Sequence, residues 1–144
     1  MYLRSVDSGD LAHLRRARDL LDREYARPLN VPEMARAALM SPSHFSRSFR
    51  QVYGETPYGY LQTRRVERAM ALLRRGDLPV TDVCIAVGFT SLGSFSSTFA
   101  RLVGETPSAY RARDHSGIAP VPPCVVRAWT RPGRIGAAPV AVPA

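Results

Sequence analysis

Residues 45–60 read FSRSFRQVYGETPYGY, and residues 95–110 read FSSTFARLVGETPSAY. Eight of these sixteen positions match without a gap: Phe45/Phe95, Ser46/Ser96, Phe49/Phe99, the GETP runs at 54–57 and 104–107, and Tyr60/Tyr110. Agreement of this kind at an offset of fifty residues marks one supersecondary unit built twice.

The residues of each copy say what the unit is. Phenylalanines at i and i+4 share one helical face and anchor a short helix to a core. Gly54 and Gly104 follow as residues able to take positive φ at a helix end. Thr56 and Thr106 each precede a proline, the N-cap and N1 signals that open another helix. Upstream of each copy lies a further short helix. Asn30-Val31-Pro32-Glu33 offers a capping box, Met34 to Ala38 continues the helix, and Leu39-Met40-Ser41-Pro42 makes a turn. In the second copy Val80 to Val87 makes the helix, and Gly88-Phe89-Thr90-Ser91 makes the turn. Ala35 and Cys84 occupy matching positions, so Cys84 reads as a small buried hydrophobe rather than a redox centre. Small residues where two helices cross, then a Ser or Thr cap opening the second, are what a helix-turn-helix requires.

Between the copies, Pro57 to Arg75 reads as one long helix. Val66, Ala69, Met70 and Leu73 form its apolar stripe, Arg64, Arg65 and Arg68 lie on other faces, and Gly76 stops it. Such a helix spans about 28 Å, a length suited to holding two recognition helices about one DNA turn, roughly 34 Å, apart. A helix from about Asp10 to Ala26, with Leu14, Ala17, Leu21 and Tyr25, ends before Pro28 and packs on the first unit. The expected fold is therefore all-α, with about seven helices. Two helix-turn-helix subdomains, at about 30–53 and 80–103, are joined by the linker helix at about 57–75. Together they make a domain over 1–113, followed by an irregular C-terminal tail.

Composition narrows the function. The formal charge is +8, and all 20 Lys+Arg positions are arginine. Abundant Ala, Pro and Val fit GC-rich codon usage, so the choice of arginine over lysine carries less weight than the net charge. That excess points to a polyanionic partner or an acidic membrane surface. No apolar run approaches a membrane span, and Met1 to Asp10 lacks a signal-peptide layout. Cys84 and Cys124 form no metal-like spacing. The expectation is a soluble, reduced chain in the cytoplasm, beside the nucleoid, with no membrane association. No paired carboxylates, Ser/His/Asp set or glycine-rich phosphate loop argues for an enzyme, and no cofactor is expected. A general RNA-binding protein would explain the charge but not the duplicated motif. A module that contacts polymerase without reading DNA is the remaining rival.

These residues resemble the DNA-binding domain of the AraC/XylS family of bacterial transcriptional regulators. The match runs from about Leu11 to Arg113, roughly seventy per cent of the chain. Its densest string is Val80-Thr81-Asp82-Val83-Cys84-Ile85-Ala86-Val87-Gly88-Phe89, followed by Phe95, Phe99 and Gly104 to Arg111. The resemblance implies two helix-turn-helix subdomains in successive major grooves of duplex DNA, often beside RNA polymerase, here as a monomer on DNA. Many members carry a separate effector-binding β-domain. This chain looks like the short members that consist almost wholly of the DNA-binding domain.

Carried over by position, the first recognition helix opens at Ser41 and runs to about Val52. Its groove-facing candidates are Ser43, Ser46, Arg47 and Arg50, with His44 at the edge. Arg47 is the first choice, because arginine binds guanine O6 and N7 bidentately. His44 shares no local metal-ligand spacing with His13 or His115. The second recognition helix departs from the family pattern. Leu92, Gly93, Ser94 and Ser97 are its exposed positions, with Arg101 further along. Ser97 stands where relatives often carry arginine, and Gly93 weakens the helix by roughly 1 kcal/mol relative to alanine. Thr90, Ser91 and the helix N-terminal amides suit phosphate contact. The second unit is thus expected to add affinity more than specificity.

Residues 115–144 change character, with six prolines among glycine, alanine and valine, and read as a flexible tail. Within it, Cys124 to Arg131 holds the only tryptophan, Trp129, a patch suited to docking on the domain, binding a partner or brushing DNA.

Overall fold

The computed structural model describes residues 7–115, and the expectations for the tail beyond them lie outside the described residues. Seven helices and no strand occur among the described residues: α1 (Ser8–Glu24), α2 (Val31–Ala37), α3 (Pro42–Tyr53), α4 (Pro57–Arg75), α5 (Val80–Ala86), α6 (Leu92–Val103) and α7 (Pro107–Ala112). The chain divides into two compact units, one up to Leu61 and one from Gln62. The division falls inside α4, so the first turn of that helix belongs to unit 1 and the remainder to unit 2.

Unit 1 is built from α1, α2 and α3, each packed against the other two. α1 starts two residues before the Asp10 expected from sequence. Asp7 takes the N-cap, and its carboxylate accepts from the Asp10 N–H at 2.8 Å. Asn30 caps α2 by accepting from the Glu33 N–H at 2.9 Å. The Glu33 carboxylate turns to Arg27, which also holds Glu24 at 2.8 Å. Leu14, Ala17, Leu21, Met34, Ala35, Ala38, Phe45 and Phe49 form the core, closed by Tyr60 and Leu61 from the first turn of α4. Tyr60 meets the Phe49 ring edge-on at 5.6 Å, and its hydroxyl donates to Asp22 at 2.8 Å.

Unit 2 repeats that plan. α5, α6 and α7 pack on one another. Val66, Ala69, Met70 and Leu73 of α4 are buried, as their spacing predicts, together with Val83, Cys84, Phe95, Phe99 and Leu102. Tyr110 meets Phe99 edge-on at 5.6 Å, the counterpart of Tyr60 on Phe49. Arg65, which the periodicity puts off the apolar stripe, is nevertheless buried. Its guanidinium lies over the Phe89 ring at 5.7 Å, where the aliphatic stem packs and the cation meets the ring face.

Gly54 and Gly104 end α3 and α6 with φ of 79° and 96°, and their amides close onto Arg50 and Ala100. This is the left-handed region that favours glycine.

Candidate nucleic-acid interface

In unit 1 the turn between the two short helices is a Schellman closure. Met40 N–H bonds Ala35 C=O, and Leu39 N–H bonds Arg36 C=O. Leu39 takes φ 55° there and remains 70% exposed. Ser41 then caps α3, its hydroxyl accepting from the His44 N–H at 3.3 Å. Phe45, Ser48 and Phe49 point inward. That leaves Ser43, Arg47 and Arg50 exposed at i, i+4 and i+7, one stripe along the outer face. Neither arginine takes an ion-pair partner among the described residues. Ser46 is half-buried at the margin. His44 faces Asp10 of α1, Nε2 to Oδ2 at 3.6 Å, so it stands at the edge of the stripe and turned toward its own unit.

The equivalent turn in unit 2 closes in the same way, with Phe89 N–H on Cys84 C=O and Gly88 N–H on Ile85 C=O. Glycine here occupies the position that Leu39 holds in unit 1. One residue more, Thr90, separates this closure from the cap. The first helices of the two units are therefore offset by 49 residues and the second helices by 50. Ser91 caps α6 and accepts from the Ser94 N–H at 3.1 Å. Cys84 is buried beneath, Sγ at 3.6 Å from the Ser91 carbonyl, and burial pushes its thiol pKa up. A raised pKa keeps it a neutral packing group rather than a thiolate.

Outward from α6 stand Leu92, Gly93, Ser94 and Ser97, all exposed, with Thr90 and Ser91 exposed ahead of them. At the fifty-residue offset, Ser43, Arg47 and Arg50 become Gly93, Ser97 and Ala100. Both guanidinium groups of the first stripe are missing from the second. Arg101 does not replace them. It sits in the last turn of α6, about 14 Å along the axis from Leu92, and donates to Gln62 Oε1 of α4 at 3.4 Å. The structure thus gathers Thr90 to Ser94 at the N-terminal end of α6, with Ser97 at mid-helix, one turn before Arg101.

Two positioning contacts escape a sequence reading. Arg111 of α7 donates from Nε to Leu78 C=O at 2.8 Å and from Nη2 to Gly76 C=O at 3.0 Å. It thereby ties α7 to the α4–α5 connection and satisfies carbonyls left open where α4 stops. Arg74 donates to the Tyr110 hydroxyl at 3.3 Å. The available signal was Gly76 itself: a helix stopped by glycine leaves carbonyls for a nearby cation, but not which one. No group of three or more His, Cys, Asp or Glu side chains with metal-site geometry occurs among the described residues. No helix there is long and apolar enough to cross a membrane.

A family model described as a helix-turn-helix domain matches residues 34–113, from within α2 past the end of α7. The chain belongs to the AraC family of helix-turn-helix transcriptional regulators. Among its relatives, this AraC-family chain is 39% identical over 93 residues to the regulator GlxA of Rhizobium meliloti, covering 62% of this chain and 28% of GlxA. It is 32% identical over 106 residues to the regulatory protein SoxS of Escherichia coli, covering 72% of this chain and 99% of SoxS. Among solved structures it is similar to the DNA-binding domain of AdpA, a global transcriptional factor captured with a target DNA. That match has 33% identity and a TM-score of 0.66, over 69% of this chain and 89% of the AdpA domain.

Proposed function

We propose that this AraC-family regulator binds duplex DNA with α3 and α6 in successive major grooves and takes most of its base preference from α3. The observation that carries the reading is the pair of exposed, unpaired arginines on α3, Arg47 and Arg50, set against Ser97 and Ala100 on α6. An arginine side chain reaching a guanine edge can donate two hydrogen bonds to O6 and N7, which no other base pair offers in that geometry. Serine can donate to or accept from several base edges and so discriminates less. The solved complex of AdpA, 33% identical, supports DNA as the ligand class.

The roles follow from position. Arg47 reads a base, and Arg50, one turn further along, reads a base or grips the backbone. Ser41, Ser43, Ser46 and the edge residue His44 line the approach. Thr90, Ser91 and Ser94 hold phosphates beside the α6 N-terminus, where hydroxyls and free amides favour an anion. Leu92, Gly93 and Ser97 face the groove, and Arg101 joins the backbone contacts. The chain works as a monomer on DNA in the cytoplasm, with RNA polymerase as a second partner, as the family resemblance implies. Phosphate contacts make such binding steeply salt-dependent. With about six contacts, log K falls against log salt with a slope near −5. A slope shallower than about −2 on duplex DNA contradicts the reading.

A further inference from the structure

We infer that Arg111 of α7 is a positioning residue for DNA binding: by gripping the segment ahead of α5, it fixes the helix that sets the leading end of α6. The inference rests on the duplex-DNA reading above and adds to it the contact on which the second recognition helix depends.

The need for such a grip arises at the start of α5. Pro79 holds the cap position with φ −68° and ψ 159°, the backbone that Ser41 and Thr106 adopt as caps. It has no side chain able to accept from the first amides of the helix. Unit 1 has no such gap, because Asn30 caps α2 and Arg27 joins Glu33 to Glu24 beside it. In unit 2 the hold comes from another helix. Arg111 donates from Nε to Leu78 C=O at 2.8 Å and from Nη2 to Gly76 C=O at 3.0 Å, one guanidinium fork on two carbonyls.

The two units solve the same problem differently. At the fifty-residue offset Arg111 matches Leu61, which is fully buried in the unit 1 core and continues into the long α4. α7 has 6 residues, too few for a helix to stand alone in water, so it persists by what it docks on. Pro107 and Tyr110 supply the apolar part of that docking, and Arg111 supplies the polar part. From Leu78 the path to the interface is short. The Val83 amide of α5 bonds Pro79 C=O, and Cys84 Sγ lies 3.6 Å from the Ser91 carbonyl. Ser91 in turn caps α6 through the Ser94 N–H. An α5 that frays or swings at its start therefore displaces Thr90 and Ser91, the residues assigned to phosphate.

The test uses the full chain and a duplex selected from a randomised pool. Hydroxyl-radical footprints, affinities at fixed salt and amide hydrogen exchange are compared for wild type, Arg111→Ala, Arg113→Ala and the double variant Arg111→Ala/Pro79→Ser. The α6 side of the duplex is the side whose protection Arg47→Ala leaves unchanged. Arg111→Ala should lose protection on that side only and bind about three- to tenfold more weakly, the scale of one net hydrogen bond. Amides of α5 and the Ser94 amide should exchange faster, with α3 unchanged. Arg113→Ala removes the same charge from the end of α7 and should leave the footprint intact. Pro79→Ser gives α5 the cap it lacks, so the double variant should regain the protection. A direct phosphate contact by Arg111 predicts instead a salt slope shallower by about 1 and no rescue. That result overturns the inference, as does unchanged exchange in α5 or an equal loss in Arg113→Ala. Should Arg111→Ala melt unit 2 outright, the double variant decides: helicity and protection return together, or the inference is overturned. Failure of the underlying reading looks different: no duplex is enriched at all, the salt slope is shallow, and exchange in the DNA-free chain still reports the grip.

Discussion

Phe49 meets Tyr60 in unit 1 at 5.6 Å, and Phe99 meets Tyr110 in unit 2 at the same distance, both edge-on. Around those pairs the same devices recur: a serine cap on each recognition helix, a left-handed glycine at its end, a threonine cap on the helix that follows. On the outer faces the likeness stops. Ser43, Arg47 and Arg50 face Gly93, Ser97 and Ala100 across the alignment. A buried aromatic pair tolerates little change in volume, and a φ near +80° to +96° tolerates little besides glycine. An exposed helix face is bound by neither constraint. The duplicated scaffold is thus free to carry two different surfaces on the faces that packing does not control.

Equality of the two scaffolds can be broken first. Phe49→Ala and Phe99→Ala should each cost about 3–5 kcal/mol, the range for truncating a buried phenylalanine. Chemical denaturation should place the two losses within about 1 kcal/mol of each other, within the context-dependent spread of such cavities. A loss confined to one of them would show that one unit leans on the other rather than standing on its own core.

The turns differ at one residue, and the difference sharpens the comparison. Leu39 holds φ 55° where unit 2 has Gly88 at φ 97°. A left-handed leucine costs roughly 1–2 kcal/mol, partly offset by the freedom glycine loses on folding. Leu39→Gly should therefore stabilise the protein by up to about 1 kcal/mol, while Gly88→Ala destabilises it by about 1–2 kcal/mol. Thermal unfolding of the two variants reads both signs.

The smallest effect is electrostatic. In unit 1 hydrogen bonds from Arg27 lower the pKa values of Glu24 and Glu33, whereas α5 of unit 2 opens at Pro79 without a side-chain cap. A carboxyl with a depressed folded pKa contributes stability above its unfolded value, near 4.3, and loses it as pH falls through the folded one. The contribution of these half-exposed, solvent-screened groups is small. Acidification from pH 7 to about 3 should lower the melting temperature slightly more in wild type than in Arg27→Ala. An identical fall in both removes Arg27 from the account.

Much of this was legible in the chain. The repeat gave both helix-turn-helix units, and the cap signals at Asn30, Ser41, Thr56 and Thr106 all recur in the structure, with Pro57–Arg75 bounded as its proline and glycine suggest. Local chemistry sufficed there, because caps and positive φ are decided within four residues. What stayed hidden depends on partners distant in sequence. Arg65 is buried over Phe89, Arg111 reaches back to Gly76, and His44 turns to Asp10. Periodicity assigns a residue to a helix face but not to the neighbour it meets. Fixed-offset matching also hides the extra Thr90, since the offset changes from 49 to 50 within the turn. The exposed stripe itself was readable, because Phe45 and Phe49 fix which side of α3 is left for Ser43, Arg47 and Arg50.

The most direct test of unequal reading by the two helices is a competition assay at fixed salt across single-base variants of the selected duplex. One bidentate arginine–guanine pair is worth about 1–3 kcal/mol of discrimination. Arg47→Ala should weaken the selected duplex more than random DNA and flatten preference at one or two base pairs. Ser97→Ala should change specific and random binding alike and only slightly, and Ser97→Arg should raise affinity by placing a cation at the position that matches Arg47. If Ser97→Ala relaxes base preference as much as Arg47→Ala does, both helices read sequence equally and the account is wrong.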